Sequence, residues 1–215
     1  MKKSQVIKEL KNPCTKEYLD LKKYIHSPDM AWYYIPTTTY NGPNLHQVEH
    51  QMIDALKEKT NLNVDQADKG ELDIPYYSHA LMIRPDRDSG KPYTETTSSL
   101  FEPTYEVLKQ IFKYNDINPS VIYRLNFNVT SSSKNKRSAY HRDLIDLPHK
   151  NLIIYMSKFS GGETYIKDGT REIIYTPKED EIILFDGDLD HCNAVPSEDE
   201  RRIVMVANIY ENTAQ

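Results

Sequence analysis

The sequence contains little cysteine, glycine or tryptophan and has no excess of positive charge. Its 215 residues include 2 cysteines, 7 glycines and 1 tryptophan. Two cysteines, Cys14 and Cys192, are too few for a disulfide framework or a thiolate zinc site. Lysine and arginine number 27 against 32 acidic residues, which gives a net charge of −5. Bulk binding to a polyanion is therefore excluded, because phosphate neutralisation requires a cationic surface.

Long apolar runs are also absent. Runs such as residues 203–207 are far shorter than the ~20 consecutive apolar residues of a membrane helix. The amino-terminal residues include several lysines but lack the apolar stretch of a secretory signal. We therefore expect a cytoplasmic protein that does not enter the membrane and that forms a single domain over residues 1–215.

Helical patterns are concentrated in the first half of the chain. An apolar residue recurs every three or four positions in one segment, which predicts an amphipathic helix: Leu45, Val48, Met52 and Leu56. A second helix is predicted to begin near Ser99, with Pro103 in its first turn, and a third covers residues 16–25. Aromatic and branched residues predict strands at 32–35 and 78–83.

From residue 121 onward the pattern is typical of short strands separated by turns. Runs of branched and aromatic residues alternate with Gly-, Pro- and Asp-containing turns. The predicted strands are 121–129, 151–156, 163–166, 172–175, 181–185 and 202–210. Strands at this spacing indicate a sandwich or barrel. We therefore predict an α+β, mainly β fold, in which residues 1–120 support a catalytic core at residues 121–210.

One group of residues in the β-rich half predicts a metal site. His141 and Asp143 flank Arg142, and residues two apart on a strand point to the same face. With His191 from a neighbouring strand, they would bind one side of a metal and leave three positions open, which suits non-haem Fe(II). Seven histidines give ~1 such His-x-acid pair by chance, so the alternative is two surface histidines and a turn aspartate.

Together with their context, these motifs resemble the Fe(II)/2-oxoglutarate-dependent oxygenases. The resemblance is greatest to the prolyl-hydroxylase-like branch and to small phage-encoded members, for which the location would be the host cytoplasm. It covers roughly residues 121–210, and it implies a double-stranded β-helix core of the jelly-roll or cupin type, buttressed by N-terminal helices. The matching segments are Tyr-His-Arg-Asp (140–143), Leu-Ile-Ile-Tyr-Met-Ser (152–157), Gly-Gly-Glu-Thr (161–164), Leu-Phe-Asp-Gly (184–187), and His191 with Arg-Arg-Ile-Val-Met-Val (201–206).

The resemblance also implies roles for individual residues. Arg202 would bind the distal carboxylate of 2-oxoglutarate, and Tyr155 would share that carboxylate. From the residues alone Arg201 and Arg202 remain alternatives, because both faces of their strand are apolar; the family arrangement favours Arg202. Val204 departs from the Ser or Thr that many relatives have two residues after this arginine. The implied iron ligands are His141, Asp143 and His191.

The activity that the resemblance implies is that of a dioxygenase acting as a hydroxylase. It would use Fe(II), 2-oxoglutarate and O₂, with ascorbate as a further cofactor, and release succinate and CO₂. The substrate would be a prolyl-type protein residue or a small molecule, and Asp143 favours hydroxylation because related halogenases lack this carboxylate. The alternatives are a non-catalytic metal-binding β-barrel and a nucleic-acid demethylase. The acidic net charge disfavours nucleic acid, and the oligomeric state is not predicted.

Further polar residues have two interpretations each. Asn128 or Asn126 either contacts 2-oxoglutarate or lies on a solvent-facing strand. His149 is either a substrate-side residue or an exposed loop histidine, and we expect the exposed loop. The polar, basic segment 131–138 is a flexible hairpin loop or a substrate lid. His46 and His50 are one helical turn apart and are expected to form a solvated helix face.

Overall fold

Two β-sheets and two helices make up the described part of the protein. The structure is a computed structural model and describes residues 6–36, 74–85, 93–144 and 147–212. The helices are α1 (Lys16–Ile25) and α2 (Phe101–Tyr114). Neither is long and apolar enough to cross a membrane. The strands are β1 (Ile7–Leu10), β2 (Tyr33–Ile35), β3 (Tyr76–Ile83), β4 (Glu95–Thr96), β5 (Val121–Ser131), β6 (Lys150–Tyr155), β7 (Thr164–Asp168), β8 (Arg171–Tyr175), β9 (Ile182–Asp186), β10 (His191–Asn193) and β11 (Arg201–Tyr210).

The strands form one large and one small antiparallel sheet. The large sheet has eight strands in the order β1-β9-β6-β11-β5-β3-β2, with β4 paired to β3. The small sheet has the order β10-β7-β8. Neighbours in the large sheet are mostly distant in sequence, as expected when a chain winds between two facing sheets. The predicted mainly β, double-stranded β-helix fold is confirmed.

Apolar side chains fill the space between the two sheets. This inner cluster joins the large sheet to Ile166 of the small sheet, with Ile173 and Tyr175 of β8 packed against it. Alternate strand residues point to opposite faces, so the same residues define the inner face of the large sheet. Its members from β6, β9 and β11 are Ile153, Tyr155, Ile183, Phe185, Val204 and Val206.

The two helices cover the other face of the large sheet. Thr15 caps α1 by accepting a hydrogen bond from the Tyr18 backbone N–H, as helix N-cap residues commonly do. Apolar residues at helical spacing on α1 and α2 share one buried cluster with the outward-facing residues of the sheet. The predicted helix at 16–25 is confirmed, and the one near Ser99 is observed as α2. The helix predicted from Leu45 to Leu56 lies outside the described residues.

The strand predictions are confirmed with shifts of a few residues at their ends. Three strands were not predicted: β1, β4 and β10 are only four, two and three residues long. The strands β4 and β10 are too short for a readable alternation, and the four residues of β1, Ile-Lys-Glu-Leu, do not alternate between apolar and polar. They are ordered by pairing with longer strands, as β1 is with β9.

Candidate functional site

Two histidine rings lie side by side at one end of the inner face. His141 and His191 form an antiparallel bridge with N···O distances of 2.9 and 3.0 Å, and their ring centroids are 4.6 Å apart. Each Nδ1 lies near a backbone carbonyl oxygen, that of Ala139 at 3.2 Å and that of Leu189 at 3.3 Å. A carbonyl only accepts, so it fixes the proton on Nδ1 and leaves the Nε2 lone pair available.

The Asp143 carboxylate faces both of these Nε2 atoms. Oδ1 lies 3.9 Å from Nε2 of His141, and Oδ2 lies 3.8 Å from Nε2 of His191. The expectation that His141 and Asp143 lie on one strand is wrong, because His141 makes only an isolated bridge and Asp143 lies in a loop. Arg142, between these two residues, pairs instead with Asp190 at 2.8 Å.

The geometry of these three side chains fits a metal ion. One potential ligand atom from each residue lies within 4.8 Å of the other two. Two ligands bonded to one ion at ~2.1 Å are separated by roughly 3 Å at a right angle and roughly 4 Å when opposite. To bind one side of an ion, the carboxylate oxygens and the Nε2 atoms, which are 3.9 and 3.8 Å apart, would have to approach each other by ~1 Å. Two neutral imidazoles and one carboxylate on one side of an ion are the donor set of non-haem Fe(II) sites.

Asp143 is held in place by three other side chains. Nη1 of Arg124 lies 3.0 Å from Oδ1, and Nδ2 of Asn208 donates to Oδ2 at 2.9 Å. Arg84 donates to the backbone carbonyl of Asp143. Burial alone would raise the pKa of Asp143, but Arg124, both imidazoles and Asn208 hold it well below its usual range. The carboxylate is therefore ionised and ready to bind a cation.

The His191 imidazole is neutral because it is buried. Burial is the largest influence on His191, and it lowers the pKa of that ring to about 4. Desolvation disfavours the imidazolium form. A neutral His191 has the free lone pair that a metal ligand requires.

A buried guanidinium lies at the other end of the inner face. Arg202 is 4% exposed, whereas Arg201 is exposed. Arg202 Nε donates to the Gly162 carbonyl at 3.0 Å, and its Nη2 donates to Thr164 Oγ1 at 3.0 Å. No carboxylate within salt-bridge distance of Arg202 occurs in the described ranges. The only ring beneath its Cζ in those ranges belongs to Tyr155, at 5.4 Å.

Tyr155 links this arginine to the inner core. Its side chain is fully buried, and its hydroxyl lies 2.8 Å from Thr164 Oγ1. Burial raises the pKa of Tyr155, so the phenol stays protonated and remains a hydrogen-bond donor. Val204 pairs with Tyr155 in the sheet register. Val204 therefore has an apolar side chain at the position where the family resemblance predicts a Ser or Thr hydroxyl.

The proposed metal ligands and the buried Arg202 both lie along the inner face of β11. Alternate residues put Arg202, Val204, Val206 and Asn208 on one face. Asn208 binds Asp143, so the prospective metal ligands and the buried arginine lie at opposite ends of one row. Two valines separate them. The arrangement is a polar group at each end of a row of apolar side chains on the inner face.

The predicted polar row of β5 lies on this inner face as well. Asn128 pairs with Val204 and Asn126 pairs with Val206. Asn128 Oδ1 accepts from Asn126 Nδ2 at 2.6 Å and from Ser78 Oγ at 2.8 Å. The interpretation as a solvent-facing strand is therefore wrong. Asn126 is buried and Asn128 is half-buried, and both face the interior.

Several other expectations have clear outcomes. The expectation that His149 is an exposed loop residue is wrong, because it is 6% exposed. Cys192 is buried. Segment 131–138 is bound to the end of β10 by Ser138 N–H to Asn193 O and to the residues after it by Val195 N–H to Lys136 O, both 2.9 Å. His46 and His50 lie outside the described residues.

Some site residues were not found from the sequence. Thr164 belongs to a matching motif, but its contact with Arg202 was not predicted. The carboxamides Asn151 and Asn208 bond to each other at 2.6 Å. One signal was available in the sequence: each is a polar residue directly beside a run of buried apolar strand residues. Such a residue needs a partner in the core.

Comparisons with known proteins support the fold. No protein-family model and no curated protein match the chain. Among solved structures, an oxidoreductase of the 2OG-Fe(II) oxygenase family from Burkholderia pseudomallei superposes with a TM-score of 0.55 at 16% identity, covering 90% of each chain. A Pseudomonas putida prolyl-4-hydroxylase gives 0.41 at 8% identity, covering 90% of this chain and 99% of its own. A Trichoplax adhaerens prolyl hydroxylase bound to a hypoxia inducible factor peptide gives 0.45 at 10% identity, covering 93% and 94%. The chain has the fold of the Burkholderia oxidoreductase.

Proposed function

We propose that the chain is an Fe(II)- and 2-oxoglutarate-dependent dioxygenase that hydroxylates its substrate and releases succinate and CO₂. Residues 121–210 would form the catalytic core, and residues 1–120 would support it. The fold is that of an oxidoreductase of the 2OG-Fe(II) oxygenase family. Because a fold alone hosts many functions, the proposal is argued from the site.

Three residues would hold the metal. His141, Asp143 and His191 offer two imidazole nitrogens and one carboxylate oxygen that lie within 4.8 Å of each other. Bound Fe(II) would supply the capacity to react with O₂, which no protein side chain has. The residues themselves orient the ion and leave one side open for the co-substrate.

The observation that carries the proposal is the buried charge of Arg202. A guanidinium stays protonated in proteins, and a buried charge is costly unless it is paired. No carboxylate among the described residues pairs with Arg202, so an anionic ligand would compensate its charge. Its planar fork matches a carboxylate bidentately, and 2-oxoglutarate has a carboxylate at each end.

Several neighbouring groups would complete the co-substrate site. Tyr155 and Thr164 offer hydroxyls beside the guanidinium, and Asn128 offers an amide on the facing part of β5. Val204 and Val206 would line the carbon chain and exclude water. A dicarboxylic acid held by Arg202 would therefore extend along the inner face toward the metal ligands.

The substrate would be a prolyl-type residue of a protein or a small molecule. The acidic net charge argues against nucleic acid, and ascorbate would serve as an auxiliary reductant. Both cysteines are free, which is compatible with a reducing compartment such as the cytoplasm.

Binding and turnover measured on matched arginine variants test this function. Mn(II) with 2-oxoglutarate should stabilise the wild-type protein anaerobically, because ligands of the native state raise its melting temperature. With Fe(II) and air, the protein should form succinate from 2-oxoglutarate. Arg202→Met should weaken 2-oxoglutarate binding at least about a hundredfold. Arg201→Met, at the exposed neighbouring position, is the control.

The results of these measurements distinguish a dioxygenase from a non-catalytic metal-binding module. Metal-dependent stabilisation without succinate formation would indicate the non-catalytic metal-binding module. Equal 2-oxoglutarate affinities in Arg202→Met and Arg201→Met would refute the assignment of the buried arginine.

A further inference from the structure

A buried histidine near the metal ligands has an unused ring nitrogen. Nδ1 of His149 lies 2.8 Å from the carbonyl oxygen of Leu147. The carbonyl only accepts, so Nδ1 carries the proton of the neutral ring and Nε2 is left as an acceptor. Nε2 is buried and has no hydrogen-bond partner in the described ranges. Leaving such an atom buried without a partner is unfavourable, which points to a ligand.

The sheet register puts His149 beyond the metal ligands as seen from Arg202. Alternate residues of β6 share a face: Tyr155 lies beside Arg202, and Asn151 pairs with Asn208, which binds the carboxylate ligand. His149, one residue before β6, is the next position on that face, ~6.6 Å beyond Asn151. A co-substrate that extends from Arg202 to the metal would therefore leave His149 facing the substrate that is oxidised.

The imidazole of His149 packs against Gly187 on the inner face of the sheet. The Gly187 N–H donates to the His149 carbonyl at 2.9 Å. A Cβ at Gly187 would lie 2.3 Å from Nε2 of His149, so the ring occupies the space of the missing side chain. Phe185, two residues earlier on the same face, has its ring 5.2 Å from that of His191. The ring of His149 is therefore on the side of the sheet that carries the metal ligands.

The neighbouring carboxamide adds an unused donor. Oδ1 of Asn151 accepts from Asn208 at 2.6 Å, and Nδ2 of Asn151 is buried without a partner in the part of the chain described. Oδ1 of Asn208 and Oδ1 of Asn126 are buried without partners in the same way. The unpartnered atoms here are thus three acceptors and one donor. Such a set disfavours an anion and suits a neutral group that both donates and accepts.

We propose that His149 and Asn151 form a recognition subsite for an amide group of the oxidised substrate. His149 Nε2 accepts from the amide N–H, and Asn151 Nδ2 donates to the amide oxygen. The amide is that of a peptide main chain or of a small molecule. The inference rests on the proposed function, since the substrate side is defined by the metal and the buried arginine.

The first test needs no substrate. In the full chain labelled with nitrogen-15 at histidine, two-bond proton–nitrogen correlations report which ring nitrogen carries the proton. The His149 ring should show a protonated Nδ1 and a bare Nε2. A protonated Nε2 in the neutral ring would overturn the inference, because that atom could not accept from an amide.

The second test compares wild type, His149→Leu and His149→Gln. Each Fe(II)-loaded protein is given a peptide digest of a lysate in one arm and its small-metabolite extract in the other. Compounds that gain one oxygen atom in mass are counted against the succinate formed. Glutamine places an amide near the position of Nε2, so it should restore recognition. His79→Leu is the control for loss of a buried histidine, since His79 pairs with Phe127 on the helix-covered face.

The expected result is a fall in oxidised product per succinate of about tenfold or more in His149→Leu, with recovery in His149→Gln. The arm that contains the oxidised amide identifies the source. An unchanged ratio in His149→Leu, or a wild-type enzyme that oxidises no amide in either arm, would overturn the inference and indicate that water alone binds these atoms. Absence of succinate from the wild-type protein would instead refute the proposed function.

Discussion

Nη1 of Arg124 lies 3.0 Å from Oδ1 of Asp143, so a prospective metal ligand is already ion-paired within the protein. Asp143 is buried, and the Arg124 side chain is 23% exposed. The guanidinium therefore compensates the carboxylate charge from the edge of the site. A divalent cation binding to Asp143 would share this carboxylate with Arg124.

Replacing Arg124 with Met should destabilise the metal-free protein by about 1–3 kcal/mol, because it leaves Asp143 with less compensation of its buried charge. The loss is moderated by the partial exposure of Arg124 to solvent. For the same reason, Mn(II) should raise the melting temperature of this variant more than that of wild type. Thermal unfolding with and without Mn(II) measures both effects.

Arg142→Met is the matched control for this prediction. Arg142 lies between two proposed ligands but pairs with Asp190 at the surface, where both side chains are more than 40% exposed. Surface pairs contribute little to stability. A smaller Mn(II) effect in Arg124→Met than in wild type would show that orientation of Asp143, and not charge, dominates.

Removal of a proposed ligand should abolish turnover without unfolding the protein. Asp143→Ala and His191→Ala each leave two donors, too few to hold the ion on one side. We expect no succinate from 2-oxoglutarate and no stabilisation by Mn(II), while the circular dichroism spectrum stays unchanged. Asp190 is next to His191, and its side chain forms an ion pair with Arg142 at the surface, so Asp190→Ala should retain activity. Turnover like that of wild type in either ligand variant would disprove the site.

The helices and the long strands could be predicted from the sequence because their apolar residues recur with a helical or a strand period. Residues 16–25 bury one helical face, and long strands such as β5 and β11 are rich in branched residues. The sequences of the short strands β1 and β10 have no such period, because these strands form by pairing with strands that are distant in the sequence. The same limit applied to Asp143, which was expected on a strand and reaches the site from a loop.

The choice between Arg201 and Arg202 shows where periodicity stops being informative. Both faces of β11 are apolar, one covered by the helices and the other by the small sheet. Only the three-dimensional register shows that Arg202 faces Thr164 and Gly162. His149 was misassigned for a related reason: it immediately precedes β6, and its burial depends on Gly187, 38 positions further along the chain.

The hydroxyl of Tyr155 should contribute to co-substrate binding. Tyr155→Phe keeps the ring under Arg202 and removes one donor, so the KM for 2-oxoglutarate should rise about three- to tenfold, the value of one hydrogen bond. Tyr175→Phe is the control, because its ring stacks on Tyr155 at 5.9 Å while its hydroxyl bonds to Glu181. Initial rates of succinate formation at varied 2-oxoglutarate concentrations give the KM of each variant. Equal KM values in the two variants would remove Tyr155 from the co-substrate site.

Two glycines with the same backbone conformation should respond differently to alanine. Gly162 has a φ of +65° and Gly169 a φ of +61°, and alanine in this region costs about 1 kcal/mol at either position. At Gly169 a Cβ meets nothing within 4 Å. At Gly162 it would lie 2.8 Å from the Phe159 ring and 3.1 Å from Cδ of Arg202, so the arginine must move.

Gly169→Ala should therefore lower the free energy of unfolding by only about 1 kcal/mol, the cost of alanine in this backbone conformation. It should leave the affinity for 2-oxoglutarate unchanged. Gly162→Ala should lower the free energy of unfolding by roughly 2–4 kcal/mol, since overpacking adds to the backbone cost, and should also weaken 2-oxoglutarate binding severalfold. Denaturant unfolding and anaerobic titration with Mn(II) present measure the two quantities. If both variants lost the same stability and bound 2-oxoglutarate equally well, the close packing of Gly162 would not be what positions the Arg202 guanidinium.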